Sequence, residues 1–146
     1  MPHVYLDHNA TTPLDERVLS AMLPYLREQY GNASSRHEFG TQARHAVEHA
    51  REQVAALIGV RAPQVVFTSG GTESNNAFIK GAAGMLRPTQ IVISAIEHPC
   101  VARPAAELAR AGWKLRKLVT GGDGIVSVDD AARAMNDATG IVSVML

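Results

Sequence analysis

The sequence predicts an α/β domain built on a mainly parallel sheet. Short apolar runs rich in β-branched residues, at residues 65–67, 91–94 and 141–146, are typical of buried strands. Segments with helical periodicity or helix-start signals separate these runs. Strands that alternate with helices in this way are typical of a parallel sheet covered by helices.

Composition narrows the range of functions. The 146 residues include 14 basic and 14 acidic side chains with no basic run, which argues against nucleic-acid binding. No apolar run reaches the ~18 residues that a membrane span needs. Cys100 is the single cysteine, so an internal disulfide is excluded, and His45 and His49 share a helix face without a third metal ligand. We therefore expect a soluble, cytoplasmic protein with no nucleic-acid partner, no membrane partner and no metal site.

The first half of the chain predicts an extended segment and two helices. Residues 4–7 are extended, and apolar side chains recur on one side of a predicted helix over residues 15–30. We expect Gly31 to end that helix. A polar loop over residues 31–40 precedes the clearest helix, in which apolar residues recur every three or four positions up to a cap at Gly59.

The second half alternates strands and helices. Its predicted elements are, in order, a buried strand at 65–67, a helix ending near Ala83, a buried strand at 91–94, a helix over 100–111, a half-exposed edge strand over 113–118, a short helix begun by Ser127 and a buried strand over 141–146. The last run is apolar up to Leu146 without a turn or cap. We therefore expect the chain to be the N-terminal part of a longer protein.

The glycine turn after Phe67 predicts an anion site. Gly70 and Gly71 let the backbone approach a ligand closely, and the N–H groups of the following helix favour negative charge. Thr72 adds a hydroxyl. The turn therefore predicts a phosphate-bearing ligand, although an ordinary strand–turn–helix connection with Thr72 as its cap accounts for these residues equally well. The adjacent glycines fit neither a Walker loop nor a dinucleotide fingerprint.

A second polar segment follows the strand at 91–94. Glu97 and His98 come directly after it. Because ligands of parallel sheets lie outside the carboxyl ends of the strands, we expect His98 and the glycine turn at the same sheet edge. This arrangement predicts an imidazole beside the phosphate seat.

Four stretches resemble the N-terminal part of cysteine desulfurases of the NifS/IscS-like kind, which are class V members of the fold-type I pyridoxal 5'-phosphate enzymes. They are residues 5–13 (YLDHNATTP), 31–40 (GNASSRHEFG), 67–76 (FTSGGTESNN) and 97–99 (EHP). His8 and Ala33 depart from the asparagine and proline usual in the family. Arg36 and His37 resemble loop residues near the family's active site, with a solvated polar loop as the alternative.

The resemblance implies both a fold and an activity. Residues 31–146 would form part of a pyridoxal-phosphate-binding large domain, incomplete at its C-terminus, and residues 1–30 a segment and helix facing a small domain. The activity would be pyridoxal-phosphate-dependent conversion of L-cysteine to L-alanine, leaving an enzyme-bound persulfide. The persulfide sulfur would supply iron–sulfur cluster or thio-cofactor assembly through an acceptor or scaffold protein. Family members are homodimers.

The resemblance also assigns roles to three residues. Gly71 and Thr72 would bind the cofactor phosphate. His98 would stack on the pyridine ring, and an imidazole is also suited to proton transfer.

Other residues of such an enzyme are missing from this chain. The Schiff-base lysine is one, since Lys80, Lys114 and Lys117 lie outside the family's lysine motif. Cys100 does not correspond to the sulfur-accepting cysteine, and we expect a buried, inert thiol. The chain as given is therefore expected to be inactive alone. Alternatives are another class V enzyme, such as a selenocysteine lyase or an aminotransferase, and a non-catalytic chain that binds phosphate or pairs with a full-length subunit.

Overall fold

A computed structural model describes residues 4–145 of the chain. Its elements within that range are the helices α1 (Glu16–Arg27), α2 (Glu38–Ile58), α3 (Gly71–Met85), α4 (Pro99–Arg110) and α5 (Val128–Ala134), and the strands β1 (Gln90–Ser94), β2 (Lys114–Leu118) and β3 (Thr139–Ser143). A short 3-10 helix spans Ala62–Gln64. The chain divides between Phe67 and Thr68 into two compact units.

The second unit contains a three-stranded parallel sheet in the order β2-β1-β3. Ile91 of β1 pairs with Leu115 of β2 on one side and with Ile141 of β3 on the other. The predicted α/β class and parallel pairing are therefore confirmed. β2 lies at a sheet edge, as the alternation of its residues predicts.

Alternate residues of β1 point to opposite faces of the sheet, which gives two core layers. Ile91 and Ile93 face one layer, formed with residues of α3, α4, β3 and the residue before β2: Ile79, Cys100, Val101, Ala105, Trp113 and Ile141. Val92 faces the other layer with Leu118 and Ala134 of α5. At most 1% of each of these three β1 side chains is exposed, so β1 is the centre of the unit.

The first unit contains α1, α2, their connecting loop and the short 3-10 helix. Asp15 caps α1, and Gly59 ends α2 in the left-handed conformation, with φ of 71°. α1 ends at Arg27, earlier than predicted, and Gly31 does not end it. Gly31 is instead required by close packing, since a Cβ there would lie 2.2 Å from the Phe39 carbonyl oxygen.

Two predicted buried strands differ from the structure. Residues 65–67 are not a strand, and Val66 is 77% exposed. Among residues 4–145, no strand hydrogen-bonds to this run, and an extended segment becomes a strand only beside a partner. β3 is a strand, but it pairs with β1 alone, so Val142 remains 42% exposed. Leu146 lies outside the described residues.

The other predicted elements have the expected type and position. Ser127 caps α5 by accepting a hydrogen bond from the Asp130 N–H, at 3.3 Å. None of the helices found over residues 4–145 combines the length and apolarity needed to cross a bilayer.

Candidate functional site

The start of α3 differs from every other α-helix start in the described residues because no side chain caps it. The other four α-helices are capped by Asp15, His37, His98 and Ser127. The first main-chain bond of α3 runs from the Ser74 N–H to the Gly70 carbonyl oxygen, at 3.1 Å. Helix geometry leaves the N–H groups of Gly71, Thr72 and Glu73 without an intrahelical acceptor. Free N–H donors at a helix start favour a negatively charged ligand, so this arrangement suits the predicted anion site, which stays a prediction.

The turn before α3 is held by hydroxyl groups and leaves open space at its glycines. The Thr68 hydroxyl contacts the Ser74 hydroxyl at 2.7 Å and donates to the Gly70 carbonyl oxygen at 3.2 Å. A Cβ added to Gly70 or Gly71 would meet no atom within 4 Å. Packing therefore does not require glycine at either position. At Gly70 the backbone does, because its φ of 159° is rarely adopted by residues with a side chain. At Gly71 neither packing nor φ requires glycine, and close approach of a ligand would give a reason for it.

Glu73 organises the segment that leads into the turn. The Ser69 N–H and the Ser69 hydroxyl both donate to one carboxylate oxygen of Glu73, each at 2.7 Å. The hydroxyl first, and the N–H second, lower the pKa of Glu73 from its ordinary value. The carboxylate is thus ionised at neutral pH and holds Ser69 beside the start of α3.

His98 is placed by the end of β1 and the start of α4. One carboxylate oxygen of Glu97 accepts hydrogen bonds from the hydroxyls of Ser94 and Ser143, at 3.0 and 3.1 Å. This contact ties the loop after β1 to β3. Pro99 occupies the first helical position, where its fixed φ favours a helix start, and His98 becomes the N-cap.

The cap determines which nitrogen of His98 carries the proton. The Cys100 N–H donates to Nδ1 of His98, at 3.1 Å. A backbone N–H can only donate, so Nδ1 is the acceptor and the neutral ring carries its proton on Nε2. His98 itself is exposed, which leaves Nε2 available to a ligand.

Thr72 and His98 line one cavity of about 320 Å³. Its other lining residues are Asn76, Pro99, Cys100, Arg103, Pro104 and Glu107. Gly71 directly precedes Thr72 but is not among them. The predicted juxtaposition of the turn and His98 is therefore present. Its cause differs from the predicted one, since residues 65–67 are not a strand and the packing of α3 against α4 brings the two together.

Asn75 and Asn76 contact Cys100 beside the cavity, and their sequence pattern did not predict these contacts. The Asn75 side-chain amide donates to Sγ of Cys100 at 3.1 Å, and that of Asn76 donates to the Cys100 carbonyl oxygen at 3.4 Å. The available signal was the pair of asparagines early in a helix, where asparagine is a poor helix former. Cys100 is buried, with 9% exposed, as predicted.

The remaining candidate residues lie outside this cavity. Lys80 pairs with Glu107 at 3.1 Å, while Lys114 and Lys117 belong to β2, and none of the three lines the cavity. In the first unit, His37 caps α2 by accepting from the Gly40 N–H at 3.3 Å. No cluster of three metal-ligating side chains occurs within residues 4–145.

A larger cavity of about 780 Å³ lies within the first unit. It includes Tyr25, Tyr30, Val47 and Phe67, and none of its lining residues is an acid, a lysine or an arginine. It reflects the loose packing of α1, none of whose residues is buried. The free main-chain N–H groups at a helix start suit a phosphate, and α3 provides them, so we place the candidate site at α3 and α4 instead.

Comparison with known families shows which protein family the chain belongs to. The family described as aminotransferase class V matches residues 4–146. The chain belongs to the class V aminotransferase family. Its curated relatives include the cysteine desulfurase IscS of Dictyoglomus turgidum, which is 44% identical over 97% of this chain, and the mitosomal cysteine desulfurase of Trachipleistophora hominis, 42% identical over 97%. The matches cover 36% and 33% of those two proteins, so this class V chain spans about a third of their length.

Solved structures share the fold of this class V chain. A NifS-like protein superposes with a TM-score of 0.86 at 36% identity, covering 94% of this chain and 38% of that protein. DndA from Streptomyces lividans superposes with a TM-score of 0.82 at 39% identity, covering 97% of this chain and 40% of that protein. The predicted family and the fold-type I α/β class are thereby confirmed.

Proposed function

We propose that this class V chain is part of a pyridoxal-phosphate-dependent cysteine desulfurase, which converts L-cysteine to L-alanine and leaves a persulfide on the enzyme. Relatives named as cysteine desulfurases, which match nearly the whole chain, support the activity. The persulfide sulfur would pass to an acceptor or scaffold protein for iron–sulfur cluster or thio-cofactor assembly. The complete enzyme would be a cytoplasmic homodimer.

The observation that carries the proposal is the cavity shared by Thr72 and His98 beside the uncapped start of α3. A pyridoxal phosphate has a dianionic end, which needs several donors, and a flat ring, which needs a stacking partner. The N–H groups of Gly71 and Thr72 and the Thr72 hydroxyl fit the phosphate. The exposed imidazole of His98 fits the ring. Open space at Gly70 and Gly71 admits the ligand.

The roles of the chain's own residues follow from these contacts. Bound pyridoxal phosphate supplies an electron sink for bond cleavage next to an amino group. Gly71 and Thr72 anchor the phosphate and thereby orient the ring. His98 stacks on the ring and holds its proton at Nε2, because Nδ1 accepts the Cys100 N–H. A proton on Nδ1 would open the α4 cap, so proton exchange at His98 takes place at Nε2.

In this proposal, the chain by itself binds the cofactor but does not catalyse the desulfurase reaction. Among residues 4–145, no lysine lines the cavity, so we propose that the 146-residue chain holds the cofactor's phosphate and ring noncovalently. The absence of a lysine also favours the second candidate, a non-catalytic chain that binds phosphate or pairs with a full-length subunit.

Binding of vitamin B6 compounds tests the phosphate seat. Pyridoxine 5'-phosphate has the ring and phosphate but no aldehyde, so it cannot react with surface lysines. We expect the purified chain to bind it more tightly than pyridoxine, and Thr72→Ala to weaken binding roughly tenfold, as loss of a hydrogen bond to a charged group predicts. Thr120→Ala is a matched control, since Thr120 lies outside the cavity. Equal affinities for the two compounds would refute the seat.

Reaction with pyridoxal 5'-phosphate tests the claim about lysine. After borohydride reduction and peptide mapping, we expect only scattered, substoichiometric labelling of lysines, and no alanine from L-cysteine. Stoichiometric labelling of one lysine, prevented by Thr72→Ala, would show that the chain does carry its cofactor lysine.

A further inference from the structure

The two halves of the proposed site belong to different elements. Gly71 and Thr72 begin α3, whereas His98 caps α4, 26 positions after Thr72. A ligand held by its phosphate at one element and by its ring at the other requires the two starts to keep a fixed distance. Misplacement by about 1 Å is enough to reduce the productive fit substantially.

Apolar packing between α3 and α4 does not fix that distance by itself. Ile79 of α3 packs with Val101 and Ala105 of α4 in the core layer below the site. Such contacts are non-directional, so they stabilise the helix pair without specifying its axial register. Hydrogen bonds have preferred lengths and angles, and they do specify it.

Two directional contacts join the helix starts at one residue. Asn75 donates to Sγ of Cys100 at 3.1 Å, and Asn76 donates to the carbonyl oxygen of the same residue at 3.4 Å. Asn76 also donates to the Thr72 carbonyl oxygen at 2.9 Å, which links the contact to the seat itself. Both asparagines are half-buried, so water competes less for these bonds than it does on the surface.

Cys100 passes this restraint to His98. Its N–H donates to Nδ1 of His98 at 3.1 Å, while its sulfur and carbonyl oxygen are held from α3. A shift of Cys100 relative to α3 therefore shifts the imidazole relative to Thr72. The thiol suits this position because it fills the apolar core layer and also accepts the Asn75 amide.

We propose that Asn75 and Asn76, acting through Cys100, are positioning residues that keep the His98 ring in register with the phosphate seat at Gly71 and Thr72. The inference rests on the proposed function, because it concerns the same cofactor site. It assigns Cys100 a role as an anchor for two amides and not as a sulfur carrier.

Asn75→Ala tests the amide contact without changing charge, and alanine raises the local helix propensity. We expect affinity for pyridoxine 5'-phosphate to fall about three- to tenfold, as the loss of a neutral hydrogen bond predicts. Affinity for inorganic phosphate, which needs only the seat, should stay within about twofold of the wild-type value. Asn136→Ala is the matched control: it removes the bond from the Ala138 N–H, at 2.9 Å, outside the cavity, and should change neither affinity.

Substitution of Cys100 tests the same contact from the other side. Cys100→Ala leaves the Asn75 amide without its acceptor and should reproduce the selective loss, whereas Cys100→Ser retains an acceptor and should restore much of the affinity. Both affinities are measured by titration, and circular dichroism establishes folding.

The outcomes separate the inference from the function on which it rests. If the wild-type chain binds neither ligand, the proposed site fails. If it binds both and Asn75→Ala lowers both affinities equally or neither, the site stands and the positioning role is wrong. If Asn75→Ala and Cys100→Ala both fail to fold, the contact serves folding and the positioning role is likewise wrong.

Discussion

The starts of α3 and α4 are neighbours, but only the start of α4 has a side-chain cap. α3 begins with two glycines and no cap, so its first N–H groups remain free for a ligand. α4 begins with a histidine cap and a proline, so its start is already satisfied by the protein. The difference shows how one fold can use the same element twice. In the proposed function, the start of α3 would bind the phosphate of the cofactor, and the start of α4 would hold the His98 side chain against its ring.

A negative charge at the proposed phosphate seat of Gly71 and Thr72 should have the largest effect on phosphate affinity. Thr72→Asp places a carboxylate where the phosphate is proposed to lie. Like-charge repulsion should lower affinity for inorganic phosphate by more than about tenfold. The same carboxylate interacts favourably with the α3 dipole, so unfolding stability should stay equal or rise by about 0.3–1 kcal/mol. Phosphate titration measures the affinity, and urea denaturation measures the free energy of unfolding. If Thr72→Asp binds phosphate as tightly as the wild type, the start of α3 is not the phosphate site.

Two substitutions of His98 distinguish its role as the cap of α4 from its proposed role as a stacking partner of the ligand ring. His98→Ala loses both, and loss of the cap should cost about 1 kcal/mol of unfolding free energy. His98→Asn keeps a good cap without an aromatic ring, so its stability should stay near that of the wild type. Both variants should bind pyridoxine 5'-phosphate about two- to tenfold more weakly, as loss of a stacking contact predicts. If His98→Asn binds this ligand as the wild type does, the ring has no stacking role.

Loss of the contact between Ser69 and Glu73 should have the smallest effect, a change in stability that depends on pH. The pKa of Glu73 is lowered by the Ser69 hydroxyl and N–H, so the folded state favours the ionised carboxylate. Its contribution to stability is present above the unfolded pKa of about 4.3 and is lost as pH falls through the lower folded pKa. The thermal midpoint of the wild type should therefore exceed that of Glu73→Gln near neutral pH and approach it in acid. A difference that does not change with pH would show that the charge of Glu73 is not involved.

Local sequence patterns predicted the helices well and the strands less well. The spacing of apolar residues and the glycine at position 59 located α2, and the run at 91–94 located β1. Residues 65–67 have an equally strong strand composition, yet they form no strand, and Val66 and Phe67 are exposed although Val65 is buried. The cause is the nature of a strand, which requires a hydrogen-bonding neighbour that local composition does not specify.

The candidate site, too, was predicted from the sequence only in part. Gly71, Thr72 and His98 were identified from the sequence, and the shared cavity of Thr72 and His98 agrees with their predicted proximity. Their roles toward the cofactor remain predictions. The capping roles of His37 and His98 were not identified, because histidine is not among the residue types that usually cap helices. The contacts of Asn75 and Asn76 with Cys100 were not identified either, because they depend on how α3 packs against α4.

The sequence by itself determined the α/β class, the family resemblance, the residues at the glycine turn and the lack of a lysine in the family's motif. These features depend on residue type and short spacing, which the chain carries before it folds. Only the tertiary structure decided that the start of α3 is uncapped, that His98 presents Nε2, and that Cys100 joins the two helix starts. The first two depend on the local conformation of each helix start, as in the bond between Cys100 and His98 two positions apart. The third depends on which groups face each other after folding, as Asn75 and Cys100 do at a separation of 25.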